Sequence, residues 1–169
     1  MAYDRGPNAG GRPHSGYGQA GGNYGRDRPA QPGMVDIWPG YLKDGYFAPG
    51  DSLNPDYVSR EKIALIVNGL QQQLTTGQLR RFFGHCRHIE TRIKAMNEPW
   101  ANVRPDFLKI DVAAEDARGK QPPKIPNIFY EFLKLNVAAV KNEKDFLRGF
   151  IPHFEALVGF SAGKLKERN

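Results

Sequence analysis

The chain is poor in the features that usually announce chemistry. One cysteine, Cys86, stands among 169 residues, so no internal disulfide can form, and a lone thiol suits a reducing compartment. No apolar run reaches the about 18 residues that a membrane helix requires, and the first residues lack the apolar core of a secretory leader. Both absences predict a cytoplasmic protein with no membrane partner. There is no Walker loop, no G-x-G-x-x-G following a strand, no H-E-x-x-H, no C-x-x-C and no G-x-S-x-G. Carboxylates are scattered singly over helix surfaces, so a paired acid and base is not suggested. His85 and His88 flank Cys86, but a metal needs three or four converging ligands and no such set is found near them. His153 and Glu155 are two apart, a spacing that does not bring side chains together on a helix. Glu155 is therefore read as structural, a buried partner for an arginine. These absences predict no catalysis, no metal and no cofactor.

Sustained alternation of apolar and polar residues is also missing, which argues against strands and for an all-α fold. Aliphatic residues are scarce in the first third, where Gly, Pro, Tyr, Asn, Gln and Arg dominate. Such a segment cannot bury enough apolar surface to offset the entropy of ordering it, so residues 1–55 read as a disordered or extended tail. Tyr3, Tyr17 and Tyr24 could stack on single-stranded bases, but the arginines around them are few and unclustered, and a plain linker is the simpler reading. Residues 34–57 differ. Val35, Ile37, Trp38, Tyr41, Leu42, Tyr46 and Phe47 are too apolar for free coil and predict an extended stretch docked on the domain or on a neighbouring subunit. Up to Pro55 the tail carries five cations (Arg5, Arg12, Arg26, Arg28, Lys43) against five aspartates (Asp4, Asp27, Asp36, Asp44, Asp51), so the net charge of +6 belongs to residues 56–169. That assigns polyanion binding to the folded domain and not to a basic arm.

What is present is helical periodicity, enough for a compact bundle of about five helices. Ser59 can cap a first helix from Arg60 to about Gln72, with Ile63, Ile66, Val67 and Leu70 inward. Pro105 fits the first turn of a third helix running to about Ala117, with Leu108, Val112, Ala113 and Ala117 inward. The turn Gln121–Pro126 cannot be crossed by a helix. Asn127 is the expected cap of a fourth, whose core face is Phe129, Phe132, Leu133, Val137 and Val140. A last helix from about Glu143 to Ser161 turns Phe146, Phe150, Phe154, Leu157 and Val158 inward, with Pro152 kinking it and Gly163 ending it. Aromatics at this spacing mean packing.

The second helix is the most informative. Thr75 and Gln78 have the spacing of a capping box, which starts the helix at about Thr76, and Pro99 stops it. At about 100° per residue, Leu79, Phe82, Phe83, Cys86, Ile89, Ile93 and Met96 share one side, while Arg80, Arg81, Arg87, His88, Arg92 and Lys94 share the other. Cys86 then reads as a small core residue. Only Glu90 interrupts, at the edge of the apolar stripe. An ordinary solvated face interleaves Glu with Lys; this one reads as a surface for phosphates.

The run from Leu74 through Thr75, Thr76, Gly77, Gln78, Leu79, Arg80 and Arg81 to Phe82 and Phe83 resembles the opening motif of the small subunit of type III-A CRISPR interference complexes, the Csm small-subunit family. Leu108 through Lys109, Val112 and Ala113 to Arg118 is similar to that family's second motif, with Ile110, Asp111 and Ala117 departing where the family has Pro, Lys and Gly. Phe150 to Lys164 resembles its ending. The likeness covers about Ser59 to Lys164. It implies a non-catalytic helical subunit, present in several copies beside repeat-binding backbone subunits, lining the groove where guide RNA pairs with target RNA in antiviral defence. Arg80 and Arg81 match the first motif, and Lys109 and Arg118 the second. Arg87, His88, Arg92 and Lys94 come from helical geometry alone. Two other readings stay open: a helical protein-protein adaptor without RNA contact, and a small DNA-binding protein. For the latter the basic helix is long and lacks the tight turn and base-reading Asn or Gln of a helix-turn-helix.

Overall fold

Ser59 closes a 3-10 turn at Pro55–Val58, and its hydroxyl accepts the amide of Lys62 at 3.2 Å, fixing where the first long helix begins. The computed structural model describes residues 1–2, 32–70 and 73–167, and the expectations for the tail before residue 32 lie outside them. Among the described residues six α-helices follow one another: α1 Met34–Ile37, α2 Arg60–Leu70, α3 Thr76–Met96, α4 Trp100–Gly119, α5 Asn127–Ala139 and α6 Ile151–Ser161. No strand occurs among the described residues, only two isolated bridges, Phe47 with Leu53 and Thr75 with Lys166. The fold is all-α.

The bundle forms because each helix buries one stripe. Ile63, Ile66, Val67 and Leu70 of α2 are buried, as are Phe129, Phe132, Leu133 and Val137 of α5. α4 packs on α5, α2 on α6, and α3 on both α4 and α6. Phe107, Phe129, Phe132, Phe146, Phe150 and Phe154 are fully enclosed and meet at ring distances such as 5.2 Å for Phe107 with Phe146 and 5.3 Å for Phe132 with Phe154. The expected kink near Pro152 takes the form of a π-helical stretch, Asp145–Phe150, leading into α6. Pro152 has no N–H to give to the carbonyl one turn back, and the wider turn before it lets the amide of Ile151 donate to the carbonyl of Phe146.

Three local expectations are corrected. Helix α4 begins at Trp100, so Pro105 falls in its second turn and the phase shifts: Val103, Phe107, Ile110 and Ala114 are buried, whereas Leu108, Val112 and Ala113 face solvent. Asn127 is not a cap; it lies in the first turn of α5, where its side-chain amide donates to Glu131 at 2.9 Å. Glu155 is exposed and pairs with no buried arginine among the described residues, because it sits on the outer side of α6 while His153 points inward.

Residues 34–57 form a strap over α5 and α6 that includes α1. Met34, Trp38, Tyr41, Tyr46 and Tyr57 are buried in it. The hydroxyl of Tyr46 donates to Asn136 Oδ1 at 2.8 Å, and Asn136 Nδ2 donates to the Tyr41 hydroxyl at 2.6 Å and to the carbonyl of Phe132 at 2.7 Å. The Tyr41 hydroxyl lies 2.7 Å from His153 Nε2, and His153 Nδ1 lies 2.5 Å from the carbonyl of Tyr57. A carbonyl can only accept, so Nδ1 carries the proton and Nε2 takes the hydrogen bond from Tyr41. Every buried polar atom in this chain of contacts then has a partner, which is the condition for burying it at all.

Candidate nucleic-acid interface

The capping box at the head of α3 forms as the sequence requires. The amide of Gln78 donates to Thr75 Oγ1 at 3.2 Å, and the amide of Thr75 donates to Gln78 Oε1 at 2.9 Å. Leu79, Cys86, Ile89 and Ile93 are buried, Phe82 and Phe83 are half-buried against Phe129 and Phe154, and Met96 is exposed at the end of the helix. Burial pushes the Cys86 thiol well above its ordinary pKa, and its sulfur lies 3.3 Å from the carbonyl of Phe82, so it is an unreactive core residue. The stripe fixes which way the cations point.

Those cations are not equivalent. Arg80, Arg81 and His88 are exposed, and Arg80 and Arg81 make no ion pair among the described residues. Arg92 is committed: it donates to Glu98 at 2.8 and 2.7 Å and to Asp106 at 2.6 Å, joining the ends of α3 and α4. Lys109 shares Asp106 at 2.7 Å. The ammonium of Lys109 and the guanidinium of Arg92 hold the Asp106 carboxyl down at about 2, and Arg92 lowers that of Glu98. Glu90, almost fully buried, accepts from Lys94 at 2.7 Å, and Arg87 lies 2.6 Å from its other oxygen without an N–H aimed at it. Two cations thus face two carboxylates around Asp106, and two face one around Glu90, so this end of the helix offers little net positive field.

The sequence reading of a helix face without acidic neighbours is therefore corrected for Arg87, Arg92 and Lys94, and Lys109 of α4 is paired with Asp106 as well. The Glu90–Lys94 spacing of four was legible in the sequence. The Arg92 partners were not, because Glu98 and Asp106 reach it only through the turn into α4. Arg118, in the last turn of α4, makes no ion pair among the described residues and belongs to the opposite end. There the amide of Lys124 donates to the carbonyl of Ala117 at 2.8 Å, and Gln78 Nε2 donates to the carbonyl of Lys124 at 2.8 Å. The end of α4 that carries Arg118 therefore lies at the same end of the bundle as Arg80 and Arg81 on the head of α3, whereas Arg92, Lys94 and Lys109 lie toward the turn between α3 and α4. No group of His, Cys, Asp and Glu among the described residues could hold a metal ion, and none of the described helices is long and apolar enough to cross a membrane.

An all-helical bundle that presents cations from the head of one long helix defines a class of small helical subunit suited to binding an anionic surface. The Csm2 Type III-A family model matches residues 59–162, more than half of the chain, and the chain belongs to that family. It is thus a small subunit of the type III-A Csm complex and assembles with that complex's other subunits. Neither a curated protein nor a solved structure matches it.

Proposed function

We propose that this subunit has no catalytic role of its own and lines the groove in which guide RNA pairs with target RNA in a cytoplasmic antiviral ribonucleoprotein, touching RNA backbone beside copies of itself and repeat-binding subunits. The observation that supports this most is the pair Arg80 and Arg81, exposed and without an acidic partner among the described residues, on a helix whose orientation is locked by its buried stripe. Guanidinium groups so placed suit phosphates, which carry no sequence information, and a subunit serving any guide needs that indifference. His88 and Arg118 extend the surface, whereas Arg87, Arg92, Lys94 and Lys109 must each leave a carboxylate before meeting phosphate. Leu108 and Val112, in solvent on the outer side of α4, favour that helix as the face that meets a protein subunit.

Binding of single-stranded RNA is expected to be indifferent to sequence and to weaken with salt at a log-log slope of about −0.7 per phosphate neutralised. Replacing Arg80 and Arg81 by Ala should flatten that slope by roughly one to two units for all sequences while helical content stays unchanged. An unchanged slope in a folded variant would remove RNA from this helix and favour the protein-only adaptor.

A further inference from the structure

The head of α3 is not an isolated helix end; two other parts of the chain are hydrogen-bonded to it through their main chains. The amide of Thr76 donates to the carbonyl of Lys166 at 3.0 Å, where the C-terminal segment forms its bridge with Thr75. On the opposite side of the helix Gln78 holds the carbonyl of Lys124 in the proline-rich turn at 2.8 Å. In both residues the backbone faces the helix and the side chain is exposed. Lys164 is exposed two residues before Lys166 and borders a surface groove with Arg60 and Phe160, whose ring lies 4.9 Å beneath the Arg60 guanidinium.

Helical geometry relates these lysines to the arginines. Arg80 lies one turn beyond Thr76 on the same face, above the residue that holds Lys166. Arg81 lies one turn beyond Gln78, above the residue that holds Lys124. Arg80 and Arg81 are thus flanked on each side by an exposed lysine from a distant part of the sequence. None of Arg80, Arg81, Lys124, Lys164 and Lys166 makes an ion pair among the described residues, and Glu167 is the acid beside them in the chain. At the other end of α3 the cations are largely neutralised by Glu90, Glu98 and Asp106, so the positive field concentrates here.

We infer that Lys124 and Lys166 are phosphate-contacting residues, and that a single RNA strand runs across the head of α3 from the proline-rich turn, over Arg81 and Arg80, to the C-terminal segment. The inference rests on the RNA reading above and extends it to residues outside α3 and α4; Lys166 lies beyond the stretch that matches the family. Because both lysines attach to α3 through their carbonyls, replacing their side chains by Ala leaves those bonds in place. The charge can then be removed without dislodging the segments.

The test uses the full chain, a fluorescent 30-nucleotide oligouridylate and a salt series, with four proteins: wild type, Lys124→Ala/Lys166→Ala, Arg80→Ala/Arg81→Ala, and Lys43→Ala/Lys141→Ala as a charge-matched control. The expected result is that Lys124→Ala/Lys166→Ala flattens the slope by roughly one to one and a half units, about as much as the arginine pair, while the control moves it by less than about half a unit. A flattened slope for the arginine pair alone overturns this inference and leaves the reading above intact. Equal loss in the lysine variant and the control also overturns it, since net charge alone would then explain the effect. No slope change in any variant, or no binding by wild type at low salt, overturns the RNA reading itself.

Discussion

His153 has no exposed surface, and both of its ring nitrogens are engaged, one by the Tyr41 hydroxyl and the other by the carbonyl of Tyr57. Burial holds its pKa down at about 4, so the folded protein keeps the neutral ring in a range where the unfolded chain, with a pKa near 6.5, takes up a proton. The unfolded state therefore binds more protons between these values. Stability is complete above about pH 6.5 and declines as pH falls toward 4, with no further loss from this residue below that. The expected loss between pH 7 and pH 5 is about 2 kcal/mol, readable as a shift of the urea midpoint. His153→Gln should be less stable at pH 7 but lose that slope; a slope that persists would assign it to another group. The carboxyls of Asp106 and Glu98 add their own acid sensitivity at lower pH, since their lowered pKa values are paired with Arg92.

At the scale of elements, close approach decides more than propensity. The π-helical stretch before α6 brings Gly149 against the strap, where a Cβ would lie 2.5 Å from the Tyr46 ring. Gly149→Ala is expected to cost about 1–3 kcal/mol by overpacking, and a urea double-mutant cycle with Tyr46→Ala should recover most of that cost. Additive costs would mean that the two residues do not oppose each other. The boundaries of α3 and the buried face of α2 were legible in the sequence, because Thr75, Gln78 and Ser59 cap locally and the stripes have a clear period. The phase of α4 was not. Pro105 suggested a helix start, yet the chain is already helical from Trp100, and Leu108 and Val112 are apolar residues on the outside, a pattern that periodicity alone cannot tell from a core face. The candidate site was legible only in part: Arg80 and Arg81 could be placed from the capping box, but the acids around Arg92 and the lysines beside Thr76 and Gln78 come from elsewhere in the chain.

At the scale of the molecule, the stretch that matches the family begins at residue 59, while five buried residues of the strap, from Met34 to Tyr57, precede it. A chain beginning at Pro32 is expected to melt with the full-length protein, since few apolar side chains precede it. One beginning at Val58 should lose at least about 4 kcal/mol, because it removes the five buried side chains of the strap and leaves Asn136 and His153 without the hydrogen bonds they make to it. Equal melting temperatures by circular dichroism would show the strap to be dispensable. The strap also sets an order of events during synthesis. Tyr41 is joined to a histidine 112 residues further along the sequence, so the strap cannot settle fully until α6 has followed it from the ribosome. At ordinary elongation rates that wait is on the order of ten seconds. Through that interval Trp38, Tyr41, Tyr46 and Tyr57 lack their native seat, and they are the residues a chaperone would meet first on the nascent chain.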